Sequence, residues 1–440
     1  MPAAEAVRQP ERKREALLAR LADARANTDQ LFDLVHPDAL YDRPIPERHR
    51  LIFYVGHLEA FDWNLIGAGA RERPSPRASL DKLFAFGIDP VGGNLPSDQP
   101  GDWPSLEQVR DYRAATRHAL DTELATFRDE QMLNVAIEHR LMHAETLAYL
   151  LHHLPFDRKK RARQDAFFTG HGAAPHMVTI PAGRATLGLG PEGGFGWDNE
   201  FRGHIVDVPA FAIDAYNVTN GEFLEFVKAG GYLDRSLWSD GAWEWIQSQN
   251  VTRPGFWNEH GNSWSYRAMF EEMPLPLDWP VYVSHAEASA YARWKNRALP
   301  SEAQYHRAAF GIPANAVAGD GDENPFPWGH LAPEEAAGNF DFRRWDPAPV
   351  GAHPGGRSEF GVSDLTGNGW EWTSTLFAPF DGFEAFPFYR GYSADFYDGK
   401  HYVMKGGSPR TAACLLRRSF RNWFQPHYPY IYATFRCVEN

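Results

Sequence analysis

The chain has 440 residues, enough for two or three domains, and its 43% apolar and 23% charged residues are the balance of a globular rather than a disordered chain. A net charge of −13 argues against nucleic acid or an anionic membrane surface as the main partner. No apolar run approaches the roughly 20 residues of a membrane-spanning helix, the opening MPAAEAVRQPERKREALLARL has no apolar h-region, and two cysteines build no disulfide framework, so a reducing cytoplasm is the expected location.

Residues 1–155 read as helices. The first covers 11–36, with Leu17, Leu18, Leu21, Leu31, Leu34 and Val35 spaced among charges. The second covers Pro46 to Ile66 and holds the largely apolar, aromatic run FYVGHLEAFDW. A third starts at Ser105, which with Glu107 resembles a capping box. The fourth runs from Glu130 to Leu154 and stops before Pro155. Four such helices predict a bundle, with an unusually long connection over 67–104. Residues 156–176 read as a linker, and its basic run RKKRAR at 158–163 as solvated surface. From 177 to 440 short β-like runs alternate with turns and one clear helix at 285–298, which predicts a compact, loop-rich α+β domain held by aromatic packing. The fold expectation is therefore multidomain, α then α+β.

The fourth helix carries His139 and His143, four residues apart and so on one face, close enough for two imidazoles to reach one ion. The stretch is His-Arg-Leu-Met-His, without the glutamate of a zinc protease. His57 sits inside the apolar second helix, where a polar ring needs a partner. Alone it reads as a hydrogen-bonded core histidine; with the pair on a facing helix it reads as a third ligand. Three neutral imidazoles suit Zn, Fe(II), Ni or Cu. Glu59, Glu138 and Glu145 are candidates for holding an imidazole tautomer, and a set of two histidines and one of these carboxylates stays open. His152 and His153 read as charges at a helix C-terminus.

The His57…His139-x-x-x-His143 set on helices resembles the DinB-like metal-binding domain. The remainder resembles the formylglycine-generating-enzyme (sulfatase-modifying factor) domain. The matching runs are Ile180–Gly188, Tyr216–Asn220, Pro280–Ser284, Leu299–Tyr305, Pro327–Gly329, Asp364–Thr373, Lys405–Ser408 and Phe435–Cys437, in that order. The two together, 1–155 and 177–440 about the linker, resemble the ergothioneine-type sulfoxide synthases, the EgtB family. The resemblance implies a DinB-like four-helix bundle followed by an FGE-sulfatase, C-type-lectin-like domain. It implies an Fe(II) enzyme that uses O2 to join a thiol to the imidazole of Nα-trimethylhistidine (hercynine) as a sulfoxide, with His57, His139 and His143 as iron ligands. The paired cysteines of a copper-dependent formylglycine-generating enzyme are not matched, because Thr411 stands near one position and Cys414 near the other.

At the substrate end, RRSFRNWFQPHYPYIYATF (417–435) is dense in Arg, Asn and aromatic residues. Packing explains part of it. A trimethylammonium group needs an aromatic face, which Trp423 offers, and a carboxylate needs donors, which Asn422, Arg418 and Arg421 offer. The resemblance places hercynine on Asn422 and Trp423. Family members that use γ-glutamylcysteine have Asp directly after that pair and Arg four residues on; here stand Phe424 and Tyr428, so cysteine is the favoured donor. Met142, before the last iron ligand, replaces a frequent Gln. Tyr389 and Tyr392, in FPFYRGYS, match the region of the family's catalytic tyrosine, while the loop Leu83–Asp89 has none. A selenoneine-type synthase on the same scaffold and a zinc-dependent DinB-like thiol transferase are the alternatives. Oligomeric state is not legible.

Overall fold

The computed structural model describes residues 2–75, 77–88, 95–162, 167–168, 172–190, 192–313 and 323–439, with side chains from residue 11 onward. Parts of the expected linker (163–166 and 169–171) and Asp89 lie outside the described residues. The chain divides into two compact units, Met1–Arg163 and Gln164–Asn440. No helix among the described residues is long and apolar enough to cross a membrane.

The first unit is helical. Helices α1 (Pro2–Asp33), α2 (Leu51–Asp62), α3 (Ala78–Phe86), α4 (Leu106–Leu124) and α5 (Glu130–His153) follow one another, and a π-helical stretch, Trp63–Ala70, prolongs α2. Leu17, Leu21, Ala24 and Leu31 recur at helical spacing on α1 and are buried. Helix α2 is buried on every side, as an evenly apolar helix must be. At Gly56 a Cβ would lie 2.4 Å from the Phe84 ring, so glycine lets α3 approach α2 beside His57.

Three expectations need correction here. The connection 67–104 is not a plain loop, because it contains α3, whose Asp81 accepts a hydrogen bond from the buried Tyr112 hydroxyl of α4 at 2.6 Å. The capping partner of Ser105 is Gln108, not Glu107: the Ser105 hydroxyl oxygen accepts from the Gln108 N–H, and the Gln108 side chain accepts from the Ser105 N–H. The basic run is not merely solvated: Arg158 pairs with Asp38 and Asp42, and the buried Lys159 Nζ donates to the Leu151 and His152 carbonyls at the end of α5. That ammonium answers the helix C-terminus.

The second unit is α+β. It contains β1 (Met177–Ile180), β2 (Gly183–Leu187), β3 (His204–Val208), β4 (Phe211–Asp214), α6 (Asn220–Lys228), α7 (Asp240–Ser248), β5 (Trp257–His260), β6 (Ser263–Arg267) and β7 (Glu272–Pro274). Then come α8 (His285–Trp294), α9 (Glu302–Phe310), β8 (Gly369–Leu376), β9 (Tyr402–Gly407), β10 (Asn422–Phe424), β11 (Ala433–Thr434) and β12 (Val438–Glu439). These strands form four small sheets, ordered β1-β4-β12, β10-β9-β8-β11, β2-β3 and β5-β6-β7. Capping boxes at Thr219, Ser284 and Ser301 start α6, α8 and α9. A core of Ile180, Ile213, Tyr305, Phe310, Leu365 and Val438 joins α9 to the first sheet. Beside it the fully buried Arg436 meets Glu371 through two hydrogen bonds, which compensates both charges.

Candidate metal centre and substrate-side residues

His57 comes from α2, and His139 and His143 from α5. One ligand nitrogen from each can be chosen so that all lie within 4.8 Å of one another. The Nε2 atoms of His57 and His143 are 3.2 Å apart. Nitrogens about 2.0–2.1 Å from one ion, at right angles, stand about 3 Å apart, so this pair has a chelating separation.

The rings are held from behind. His57 Nδ1 lies 2.7 Å from the Phe84 carbonyl of α3. A carbonyl only accepts, so Nδ1 carries the proton and Nε2 keeps its lone pair for a metal. Phe61 stacks on His139 with centroids 3.4 Å apart, and Phe53 stacks on His57 at 4.7 Å. Burial depresses the basicity of all three rings: His57 to about 4, His139 and His143 well below their ordinary value. All three are therefore neutral near pH 7, the form that binds metal. His143 Nδ1 is buried with no hydrogen-bond partner among the described residues. Three neutral donors, one buried nitrogen without a partner and a fixed tautomer fit a divalent transition metal.

Glu59 does not hold an imidazole tautomer. Its carboxylate accepts from Arg117 and Arg140 instead, and the Phe84 carbonyl takes the expected role. Arg140, next to His139, is 1% exposed; its Nη2 donates to Asp62 at 2.7 Å and to the Leu58 carbonyl at 2.9 Å. It thus ties α5 to the stretch of α2 that carries His57. Neither Phe84 nor Arg140 has a local sequence signal, because both act across 27 or more residues.

In the second unit, Asn422 and Trp423 lie on the edge strand β10, paired to β9. Trp423 is half-buried; it stacks on Phe377 at 4.2 Å and meets Tyr392 edge-on at 5.4 Å. Tyr392 and Tyr389 have ring centroids 5.7 Å apart, so the structure brings these two tyrosines and Trp423 together. Burial raises the Tyr389 hydroxyl to about 12. Phe424 and Tyr428 stack on each other at 5.1 Å. The two arginines have internal partners: Arg421, 2% exposed, places its guanidinium on both oxygens of Glu302, and Arg418 donates to Glu323 at 2.6 Å. The expectation that they hold a substrate carboxylate is corrected to that extent, since each holds a carboxylate of the protein. Thr411 is buried and accepts from the Ser408 N–H, while Cys414 and Cys437 are not joined in a disulfide.

A helical unit with a three-histidine cluster, joined to an irregular α+β unit, defines a two-domain protein with a candidate metal centre. Residues 20–157 match the DinB superfamily, and 164–440 match the sulfatase-modifying factor enzyme 1-like domain. The chain is 33% identical to the hercynine oxygenase of Mycolicibacterium thermoresistibile, over 97% of this chain and 95% of that protein. It is 34% identical to the hercynine oxygenase of Mycolicibacterium smegmatis, over 94% and 96%. Ergothioneine biosynthesis protein 1 of Neurospora crassa is 27% identical over 92% of this chain and 55% of its own length. The chain belongs to the EgtB-type family, in which a DinB domain precedes a sulfatase-modifying-factor-like domain.

Proposed function

We propose that the protein is an iron(II)- and O2-dependent sulfoxide synthase of ergothioneine biosynthesis, which joins a thiol to the imidazole ring of hercynine. The observation that carries this reading is the convergence of three neutral imidazoles, His57, His139 and His143, in a chain that aligns nearly end to end with hercynine oxygenases. Those three residues hold the ion. Bound there, Fe(II) supplies a site where a thiol is deprotonated and O2 is reduced. The rest of the chemistry belongs to side chains. Trp423 presents an indole face to the trimethylammonium group, and Asn422 donates to the hercynine carboxylate. Tyr389 and Tyr392 supply a hydroxyl proton, and a Tyr389 hydroxyl raised to about 12 keeps its proton until the reaction calls for it.

Cysteine is the favoured thiol. A γ-glutamyl donor brings a second carboxylate, which needs a cation. Phe424 and Tyr428 supply stacked rings at the two places where a pairing Asp and Arg would stand, and Arg418 and Arg421 are engaged by Glu323 and Glu302. The test is a competition. The protein, loaded with Fe(II) without oxygen, receives hercynine, cysteine, γ-glutamylcysteine and a selenosugar together; O2 is admitted and the products are weighed by mass spectrometry. A cysteine–hercynine sulfoxide in excess is the expected product. The γ-glutamyl adduct in excess overturns the donor assignment, a selenium adduct makes the protein a selenoneine-type synthase, and no adduct overturns the reaction.

A further inference from the structure

The turn Trp197-Asp198-Asn199-Glu200 has no place in the metal centre, yet its four residues are at most 1% exposed. Burying two nearby carboxylates is costly unless each is hydrogen-bonded. Here each has partners on a different segment. Asp198 Oδ1 accepts from the Ser393 hydroxyl at 2.6 Å, and the Tyr397 hydroxyl donates to that same Ser393 oxygen at 3.5 Å. Burial pushes the Asp198 carboxyl up, with the Ser393 hydroxyl opposing. Glu200 takes the other side, where Oε2 accepts from Arg417 at 2.8 Å and from Ser419 at 2.6 Å, in the run that leads into Asn422 and Trp423. Trp197 stacks on Tyr392 with centroids 4.0 Å apart and meets Tyr389 edge-on at 6.3 Å.

The tyrosine loop needs such an anchor. Between Phe386 and Phe396 its backbone closes short turns, Tyr389 N–H to Phe386, Tyr392 N–H to Tyr389 and Phe396 N–H to Ser393, so it belongs to no strand or long helix. Its place in the unit is set by side chains. Ser393 is fully buried and adjoins Tyr392 in sequence.

We propose that Asp198 is a positioning residue: through the Ser393 hydroxyl it clamps the tyrosine loop onto Trp197, and so sets Tyr389 and Tyr392 against Trp423. The inference rests on the reading of those tyrosines and of Trp423 given above. A misplacement of about 1 Å in a reacting group costs up to about 100-fold in rate, so a clamp of this kind governs turnover without touching substrate.

The test uses the full-length protein and three variants, Ser393→Ala, Asp198→Ala and Asp198→Asn. Amide hydrogen exchange followed by mass spectrometry reads the clamp without reference to activity. The expected result is exchange at least about 10-fold faster over 386–397 in Ser393→Ala and Asp198→Ala, with α2 and α5 unchanged. In Fe(II)-loaded protein those two variants lose about 10- to 100-fold in kcat, while the hercynine KM stays within about twofold. Asp198→Asn keeps an acceptor oxygen for Ser393 and regains most of the loss. Unchanged exchange in Ser393→Ala overturns the proposal. So does an Asp198→Asn protein as impaired as Asp198→Ala, which would mean that charge matters and position does not. If Asp198→Ala fails to fold, Ser393→Ala decides. If the wild type makes no hercynine sulfoxide, the functional reading fails and the exchange experiment still decides the clamp.

Discussion

Replacing Arg140 by Met tests how the histidine cluster is held. The guanidinium is 1% exposed and contacts Asp62, Glu59 and the Leu58 carbonyl. Glu59 keeps Arg117 after the change. Asp62, wholly buried, loses its ion-pair partner, and its Oδ1 has no hydrogen-bond partner among the described residues. Stranding one half of a buried pair costs about 3–5 kcal/mol. The pH dependence follows. Burial raises the Asp62 carboxyl and Arg140 opposes the rise, so without Arg140 its folded pKa climbs further above the unfolded value. A carboxyl raised in the folded state costs stability above its unfolded pKa, and the cost is relieved as pH falls through the folded pKa. The loss in Arg140→Met is therefore largest near pH 8 and smaller near pH 5, and Asp62→Leu in addition recovers at least half of it. Guanidinium unfolding of the metal-free protein, followed by far-UV circular dichroism at both pH values, measures this. Metal titration supplies a second reading, an affinity about 10- to 100-fold weaker, because Arg140 fixes α5 against the turn of α2 next to His57. A loss below about 1 kcal/mol, or one equal at both pH values, refutes the reasoning.

Other changes test other parts of the account. Trp423→Leu removes a cation–π face worth about 0.5–2 kcal/mol, so the hercynine KM rises about 2- to 30-fold with the thiol KM unchanged; steady-state kinetics reads both, and an unmoved hercynine KM removes Trp423 from the site. Phe424→Asp combined with Tyr428→Arg shifts the kcat/KM ratio toward γ-glutamylcysteine by at least about 10-fold, and no shift contradicts the donor assignment. Lys159→Met leaves the Leu151 and His152 carbonyls without their ammonium donor and costs the helical unit about 1–2 kcal/mol in thermal unfolding; an unchanged transition refutes that role.

The parts that were legible from the sequence follow local rules. His139 and His143 are one helical turn apart, so their shared face follows from periodicity alone, and the apolar setting of His57 marks it as a residue needing a partner. The order of a helical unit followed by an α+β unit follows from the change of composition after the fourth helix. What stayed hidden depends on distant contacts. The proton on His57 Nδ1 is fixed by a carbonyl 27 residues away, and any residue presents a carbonyl. Glu59 reads as a helper of the histidines by proximity in sequence, but Arg117 and Arg140 reach it first. Arg418 and Arg421 read as open cations because Glu323 and Glu302 lie about a hundred residues away. Gln108 rather than Glu107 closes the cap of α4 because the return bond needs the third residue of the helix. The buried turn at Trp197–Glu200 has no periodic pattern, and only its two carboxylates beside a tryptophan hint at a tertiary role.

The most direct test of the central claim is anomalous diffraction from crystals loaded with Fe(II) without oxygen, recorded above and below the iron absorption edge. The account predicts one strong iron peak about 2.0–2.2 Å from a nitrogen of each of His57, His139 and His143, lost in His139→Ala. Iron bound elsewhere, or retained in full by His139→Ala, would contradict it.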